Sequence, residues 1–268
     1  MSCLNCKSKD YKKKFISFSG VHFKICKNCQ CVYQDPVIDT NYSDSYWQGG
    51  IDRDGVYRDF TKEKDFKIKN WYGKVISNLN QEKKELSILD IGCGLGYFLN
   101  GLNSNFKKYG IESSEFATNF VKDKFKEIEI LNGDYKNIKN FNKKFDVIMF
   151  YHVIEHLKNP PEAIQYINKY LKNDGLLILG TPNVESFIAK LFRKNYRHYT
   201  YDHPCLYGES ALKKLLKDNS FKIIKIEKPF WNTAYNTFHN YIKLFMINKL
   251  SPAFYGSIFT LYCKKIIN

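Results

Sequence analysis

Apolar and polar positions change rhythm along the chain. Residues 11–18 and 21–25 are short strand-like runs, with Ser19-Gly20 between them as a turn. Further on, Phe66, Trp71, Val75, Ile76 and Leu79 fall at helical spacing and predict an amphipathic helix over 61–80 that packs on the main body. Residues 87–91 form a compact apolar run with β-branched members, the signature of a buried strand. Phe98, Leu99 and Leu102 then resume helical spacing, and a second strand ends at Glu112. Strand, turn, helix, strand is the opening of a βαβ unit in an α/β sheet. No internal repeat is visible.

Cysteines divide the chain. Five of the eight fall in the first 31 residues. Cys3-x2-Cys6 and Cys26-x2-Cys29, with a hairpin-length spacer between them, form the pattern of a four-thiolate zinc site. Such a closed set leaves no open coordination position, so the Zn2+ it implies is structural. Cys31 is a fifth thiol on the flank of the second knuckle. The expected organisation is a zinc ribbon at 1–36, a linker and helical cap at 37–85, and an α/β core at 86–268.

The strand at 87–91 carries Asp90 near its end and is followed by Gly92, Gly94 and Gly96. A dinucleotide fold has G-x-G-x-x-G and sets pyrophosphate on a helix N-terminus. Here the pattern is D-x-G-x-G-x-G. A carboxylate at that point repels pyrophosphate and holds an ammonium, which suggests a nucleoside with an amino-acid tail. Glu112 comes at about the twenty-residue offset of a ribose-binding acid. Asp134 follows a third strand, where a carboxylate can accept from an exocyclic adenine amine.

These segments resemble the class I S-adenosylmethionine-dependent methyltransferases. LDIGCGLG, YGIE and NGD are similar to that family's glycine, ribose and adenine motifs. Residues 145–157 resemble its fourth strand and the start of the next helix, and 174–183 its fifth strand. The resemblance implies a Rossmann-like seven-stranded sheet of order 3-2-1-4-5-7-6. Strands at 221–226 and 258–266 close it, with insertions at 183–218 and 230–256. It implies S-adenosylmethionine as cofactor, with Asp90 facing the methionine amino group. Gly92, Cys93 and Gly94 would line the methionine tail, with Gly96 and Tyr97 beside them. Glu112 and Ser113 would take the ribose, Asp134 the adenine amine, and Tyr135 the adenine by backbone and ring. Phe150 and Tyr151 would lie beneath the sulfonium.

Methyl transfer to a hydroxyl needs a base, and histidine is the default. His152 stands just after the fourth strand and shares one helical face with Glu155 and His156 if the helix starts there. Some quinone-pathway and RNA-end methyltransferases carry E-x-x-E-H at this place and bind a metal; His152 replaces the first acid here. The second candidate base is His203, in the segment 196–204, whose Tyr, His, Arg and Asp residues suit a polar, aromatic rim for a sugar. The ribbon and this loop also resemble, more loosely, bacterial sugar and surface-glycan methyltransferases.

Composition narrows the partners. The net charge is +15, yet only four of the 42 basic residues are Arg, the residue suited to bidentate phosphate contacts. That counts against a phosphate grip, while the polar, aromatic loop and the looser resemblance to sugar and surface-glycan methyltransferases imply a sugar hydroxyl of a glycan or nucleotide sugar as acceptor. The alternatives are RNA gripped by the basic ribbon, or a quinone, lipid or other small molecule. The aromatic segment 230–255 reads as a cap helix on the core, with a membrane-surface role at most peripheral. The first residues lack the apolar stretch of a signal peptide, so a cytoplasmic location is expected.

Overall fold

The computed structural model describes residues 1–39, 45–51, 57–62, 72–230 and 236–266. Phe66 and Trp71 of the expected cap helix lie outside the described residues. In chain order come strands β1 (Tyr11–Ile16), β2 (His22–Cys26) and β3 (Val32–Gln34), then helices α1 (Ser45–Gln48) and α2 (Tyr72–Leu79). The core follows as β4 (Leu86–Ile91), α3 (Tyr97–Gly101), β5 (Phe106–Glu112), α4 (Glu115–Lys124), β6 (Ile128–Asn132), β7 (Phe145–Tyr151), α5 (Pro160–Tyr170) and β8 (Leu171–Pro182). The chain then forms α6 (Phe187–Phe192), β9 (Cys205–Leu206), α7 (Glu209–Asp218), β10 (Phe221–Glu227), α8 (Phe238–Lys243) and β11 (Ile258–Lys265).

The main sheet runs β6-β5-β4-β7-β8-β11-β10. Pairing is parallel from β6 to β8, and β11 is antiparallel to both β8 and β10. This is the order 3-2-1-4-5-7-6 expected from the sequence. Because strand side chains alternate between faces, β4 and β7 feed two cores. Leu89, Ile91, Ile148 and Phe150 go to one, together with Leu177 and Leu179 of β8. Ile88, Val147 and Met149 go to the other, with Phe98, Val121, and Val75 and Ile76 of α2. Burial on both faces explains why these strands are apolar almost throughout.

The ribbon is not a separate bead. Its β1-β2-β3 sheet gains a fourth strand, β9, from the insertion after β8. Tyr33 pairs with Cys205, and Val32 with Leu206. Val21, Phe23 and Val32 of the ribbon share one apolar cluster with Ile188, Phe192, Tyr196 and Tyr199 of the insertion. Gln34 is fully buried, and its amide nitrogen donates to the carbonyls of Thr200 (3.1 Å) and Tyr201 (2.8 Å). A buried amide held in this way costs little, whereas an unpaired one costs about 1–3 kcal/mol. The aromatic rim expected at 196–204 is largely this joint. Tyr196 is fully buried and donates to the carbonyl of Ser257 at 2.7 Å, and Tyr199 packs edge-on against Phe15. Tyr201, at 45% exposure, keeps a surface position.

The cap expected over 230–255 also differs. Nothing on α8 is buried, and Phe238 and Phe245 are 80% and 88% exposed. The segment is anchored by buried Phe230 and Ala253 at its ends, by the ring of Phe254 4.8 Å from that of Phe230, and by Tyr241 of α8 edge-on against both rings. Trp231 lies outside the described residues. Among the described residues no helix is long and apolar enough to cross a membrane.

The shared cluster makes ribbon and insertion one cooperative unit. Phe23→Ala should cost about 3–5 kcal/mol, the usual loss for a buried phenylalanine. Hydrogen exchange should then show α6 and β9 losing protection together with the ribbon while β4–β8 keep theirs. Loss confined to residues 1–36 would contradict this.

Candidate active site

The carboxyl edge of the main sheet gathers the expected cofactor residues at one corner. Gly92, Gly94 and Gly96 all adopt positive φ (+74°, +53° and +73°), which lets the chain turn from β4 into α3 without side chains in the way. A Cβ on Gly94 would come within 3.2 Å of the Trp47 ring. Glu112, at the end of β5, is 7% exposed. One of its carboxylate oxygens accepts from the Gly94 amide at 2.9 Å, and the other from the Ser114 amide (2.9 Å) and the Ser113 hydroxyl (3.2 Å). Asp90, 5% exposed, has its carboxyl pushed well above the usual range, first by burial and then by the neighbouring Glu112 charge. An ammonium placed against it would relieve that penalty. Two buried acids beside a glycine turn therefore fit a ligand with a cationic tail and a polyol. Cys93 turns its thiol into the sheet, against the space Gly110 leaves open, so only its backbone faces the turn.

Trp47, in the linker, was not among the residues singled out by sequence. Its indole nitrogen donates to the Ser114 hydroxyl at 3.0 Å, which places the ring over the glycine turn. Tyr97 reaches the same linker, donating to the Thr61 carbonyl at 3.2 Å. The aromatic density of residues 45–60 was the available signal.

Four further expected residues have other partners or faces to account for. Asp134 is exposed at the tip of β6, but its carboxylate accepts from the Lys136 amide at 2.8 Å and caps the following turn. Tyr135 turns its ring inward, where its hydroxyl donates to Glu162 at 2.9 Å. Its ring is therefore not available to a ligand at the sheet edge. Phe150 and Tyr151 are neighbours on a strand, so they point to opposite faces. Phe150 is fully buried in one core, while Tyr151 lies against Gly180 with its ring 4.7 Å from the His152 ring.

After β7 the chain makes a single 3-10 turn at Ile154–His156, and an α-helix starts only at Pro160. His152 has φ +56°, a costly conformation for a non-glycine residue. Its amide donates to the Gly180 carbonyl at 2.8 Å, which holds it there. The side chain is 34% exposed, and its Nδ1 lies 2.8 Å from a carboxylate oxygen of fully buried Glu155. The other oxygen of Glu155 accepts from the Thr181 hydroxyl at 2.9 Å. Burial alone would raise the Glu155 carboxyl, but the His152 bond and the nearby imidazoles hold it down at about 2. An ionised carboxylate only accepts, so Nδ1 of His152 carries a proton and, in the neutral ring, Nε2 is the nitrogen left with a lone pair.

His156 does not join His152 on one face. It turns to the insertion, with Nδ1 2.8 Å from the Asp202 carbonyl. His203 is 7% exposed, its Nδ1 2.7 Å from the His198 carbonyl and its ring 4.7 Å from that of His156. It is therefore an interior residue, not a base on an open loop. Glu155, His156 and His203 bring one donor atom each within 4.8 Å of one another, as do Cys3, Cys6, Cys26 and Cys29 in the ribbon.

A family model described as a methyltransferase domain matches residues 67–226. The ubiquinone biosynthesis O-methyltransferase of Rickettsia canadensis (strain McKiel) is 27% identical over 179 residues, 61% of this chain and 73% of that protein. The (S)-coclaurine N-methyltransferase of Papaver somniferum is 35% identical over 108 residues, 37% of this chain and 30% of that one. Among solved structures, the plantazolicin methyltransferase BpumL, in complex with a triazolic desmethylPZN analog and SAH, aligns with a TM-score of 0.54 at 22% identity. That alignment covers 77% of this chain and 88% of that one, and at such identity it is a likeness of fold.

The histidine cluster makes stability pH-dependent. Burial, and then the His203 charge, push His156 down to about 4 from an ordinary 6.5. Above pH 6.5 it is neutral folded or unfolded. Between 6.5 and 4 only the unfolded chain takes the proton, so stability should fall across that window by roughly 3 kcal/mol. Urea denaturation at pH 7 and pH 4 measures the loss, and His156→Gln should reduce it. Equal losses in both proteins would contradict the assignment.

Proposed function

The chain belongs to the methyltransferase domain family and is an S-adenosylmethionine-dependent methyltransferase; from that premise we propose that it methylates a hydroxyl group, with His152 as general base. The observation that carries this is the His152–Glu155 couple at the carboxyl end of β7. It pairs a half-exposed imidazole with a fully buried carboxylate that fixes its tautomer. The arrangement has the logic of a base oriented by a third group. S-adenosylmethionine, when bound, supplies an electrophilic methyl group on a sulfonium that transfers by in-line displacement. Asp90 holds the amino group of the methionine tail, the glycine turn at 92–96 gives that tail room, and Glu112 takes the ribose hydroxyls. Asp134, exposed and capping its turn through one carboxylate oxygen, would take the adenine amine, and Trp47 would cover the corner and exclude water. His152 Nε2 takes the acceptor's proton as the oxygen attacks.

Two hydroxyl classes fit. The relatives that act in ubiquinone biosynthesis favour a phenolic hydroxyl on a quinone precursor. A phenol, with an ordinary pKa of about 10, is also the easier proton donor to an imidazole. A sugar hydroxyl is the second class, but it has lost the exposed aromatic rim that favoured it. We also assign one structural zinc ion to Cys3, Cys6, Cys26 and Cys29, whose donor atoms converge as a closed thiolate set requires. A second reading of the acceptor site is a divalent cation held by Glu155, His156 and His203. In that case, activity would vanish with a chelator too weak to strip a four-thiolate zinc and return with added magnesium or manganese.

His152→Gln should lower kcat by about 10²-fold or more and leave S-adenosylhomocysteine affinity unchanged. Glu112→Ala should abolish most of that affinity in calorimetry. Normal turnover of His152→Gln would end the base assignment, and near-native binding by Glu112→Ala the ribose assignment. Radiolabelled methyl transfer into fractionated cell extract identifies the acceptor: label in quinone-precursor or sugar fractions that survive RNase supports a hydroxyl on a small molecule or glycan, and label lost to RNase points to RNA.

A further inference from the structure

Six of the eight cysteines meet in one place, although the knuckle spacing accounts for only four. The knuckle thiols form two close pairs, Cys6 with Cys26 at 3.5 Å and Cys3 with Cys29 at 3.6 Å between sulfurs. Cys31 sits against the second pair, its sulfur 3.2 Å from that of Cys3 and 3.3 Å from that of Cys29. Cys205 arrives on β9 from the far insertion. Its partner across the ladder is Tyr33, which puts its side chain on the face that carries Cys31 and Tyr33. That pairing brings Cys205 to the neighbourhood of Cys31, and both residues are fully buried. In order, then, stand one pair, a middle pair, and a further pair.

We propose that the ribbon holds two zinc ions, bridged by the Cys3 and Cys29 thiolates, with Cys6 and Cys26 completing the first set and Cys31 and Cys205 the second. This rests on the zinc assignment made above and extends it. Six thiolates around two divalent ions carry the same net charge as four around one, so the second ion adds no charge to the interior. Each added thiol gives up its proton to solvent on binding. With a single ion, Cys31 and Cys205 would instead stay protonated, with Cys31 donating weakly to the Cys3 and Cys29 sulfurs. The second ion has a mechanical consequence. It ties the ribbon to β9, and so fixes the insertion that carries His203 and Asp202 next to His156.

The test is metal content by mass spectrometry on full-length protein, expressed with added zinc and gel-filtered anaerobically in metal-free buffer with reductant. Two zinc ions per chain are expected, falling to one in both Cys31→Ser and Cys205→Ser. Cadmium-substituted protein should give two ¹¹³Cd resonances. One ion per chain in the unmodified protein overturns the second site and leaves the four-cysteine assignment standing; no bound zinc overturns both. Because the unmodified protein alone decides between these, a variant that fails to fold leaves the answer intact.

Discussion

A carboxylate with no exposed surface, Glu155, stands where β7, β8 and the insertion meet, and the site depends on how its charge is met. Its two oxygens are taken by His152 and by Thr181 of β8. An ionised carboxylate in the interior is tolerated only when paired and hydrogen-bonded, so these partners are obligatory. The same need draws the imidazoles of His156 and His203 close to it. Those two histidines lead to Asp202 and the insertion, and through β9 to the ribbon. One buried charge thus connects the His152 imidazole to a scaffold at the other end of the sequence.

The cofactor corner uses charge in the opposite way. Asp90 and Glu112 crowd two acids at the ends of adjacent strands, and Asp90 is penalised for it. In the proposed function a cationic ligand would meet that penalty, which would make the corner selective for what it binds. Glu112 is held ready by the Gly94 and Ser114 amides, so its orientation does not wait for ligand. The sheet edge therefore presents an acidic corner at β4–β5 and, at β7, the imidazole of His152, proposed above as the base; in that proposal the methyl group passes from one to the other.

The cofactor corner was legible in the sequence because its determinants are local. Asp90, the three glycines and Glu112 lie within one βαβ unit, and the spacing of those residues is set by strand length and turn chemistry. The sheet order followed from the same resemblance. What sequence did not disclose is long-range pairing. Nothing near Val32 or Leu206 announces that they are ladder partners, yet that pairing turns an apparent bead into part of the core. Composition also cannot say which way an aromatic points. The Tyr and His residues of 196–203 have the chemistry of a rim, yet Tyr199 is spent on packing against Phe15 and Phe23, Tyr196 is buried in the same cluster and His203 is interior. His152 and Glu155 did meet as their three-residue offset suggested, but through a strained residue and one 3-10 turn instead of an α-helix.

The central claim is that the imidazole of His152 faces the donor sulfur from the acceptor side. A crystal structure of the chain with S-adenosylhomocysteine bound tests it most directly. The account predicts the amino group at Asp90, the ribose at Glu112, and the sulfur opening toward Nε2 of His152 with no other imidazole between. A sulfur facing away from His152, with that side chain shielded behind Tyr151, would contradict it.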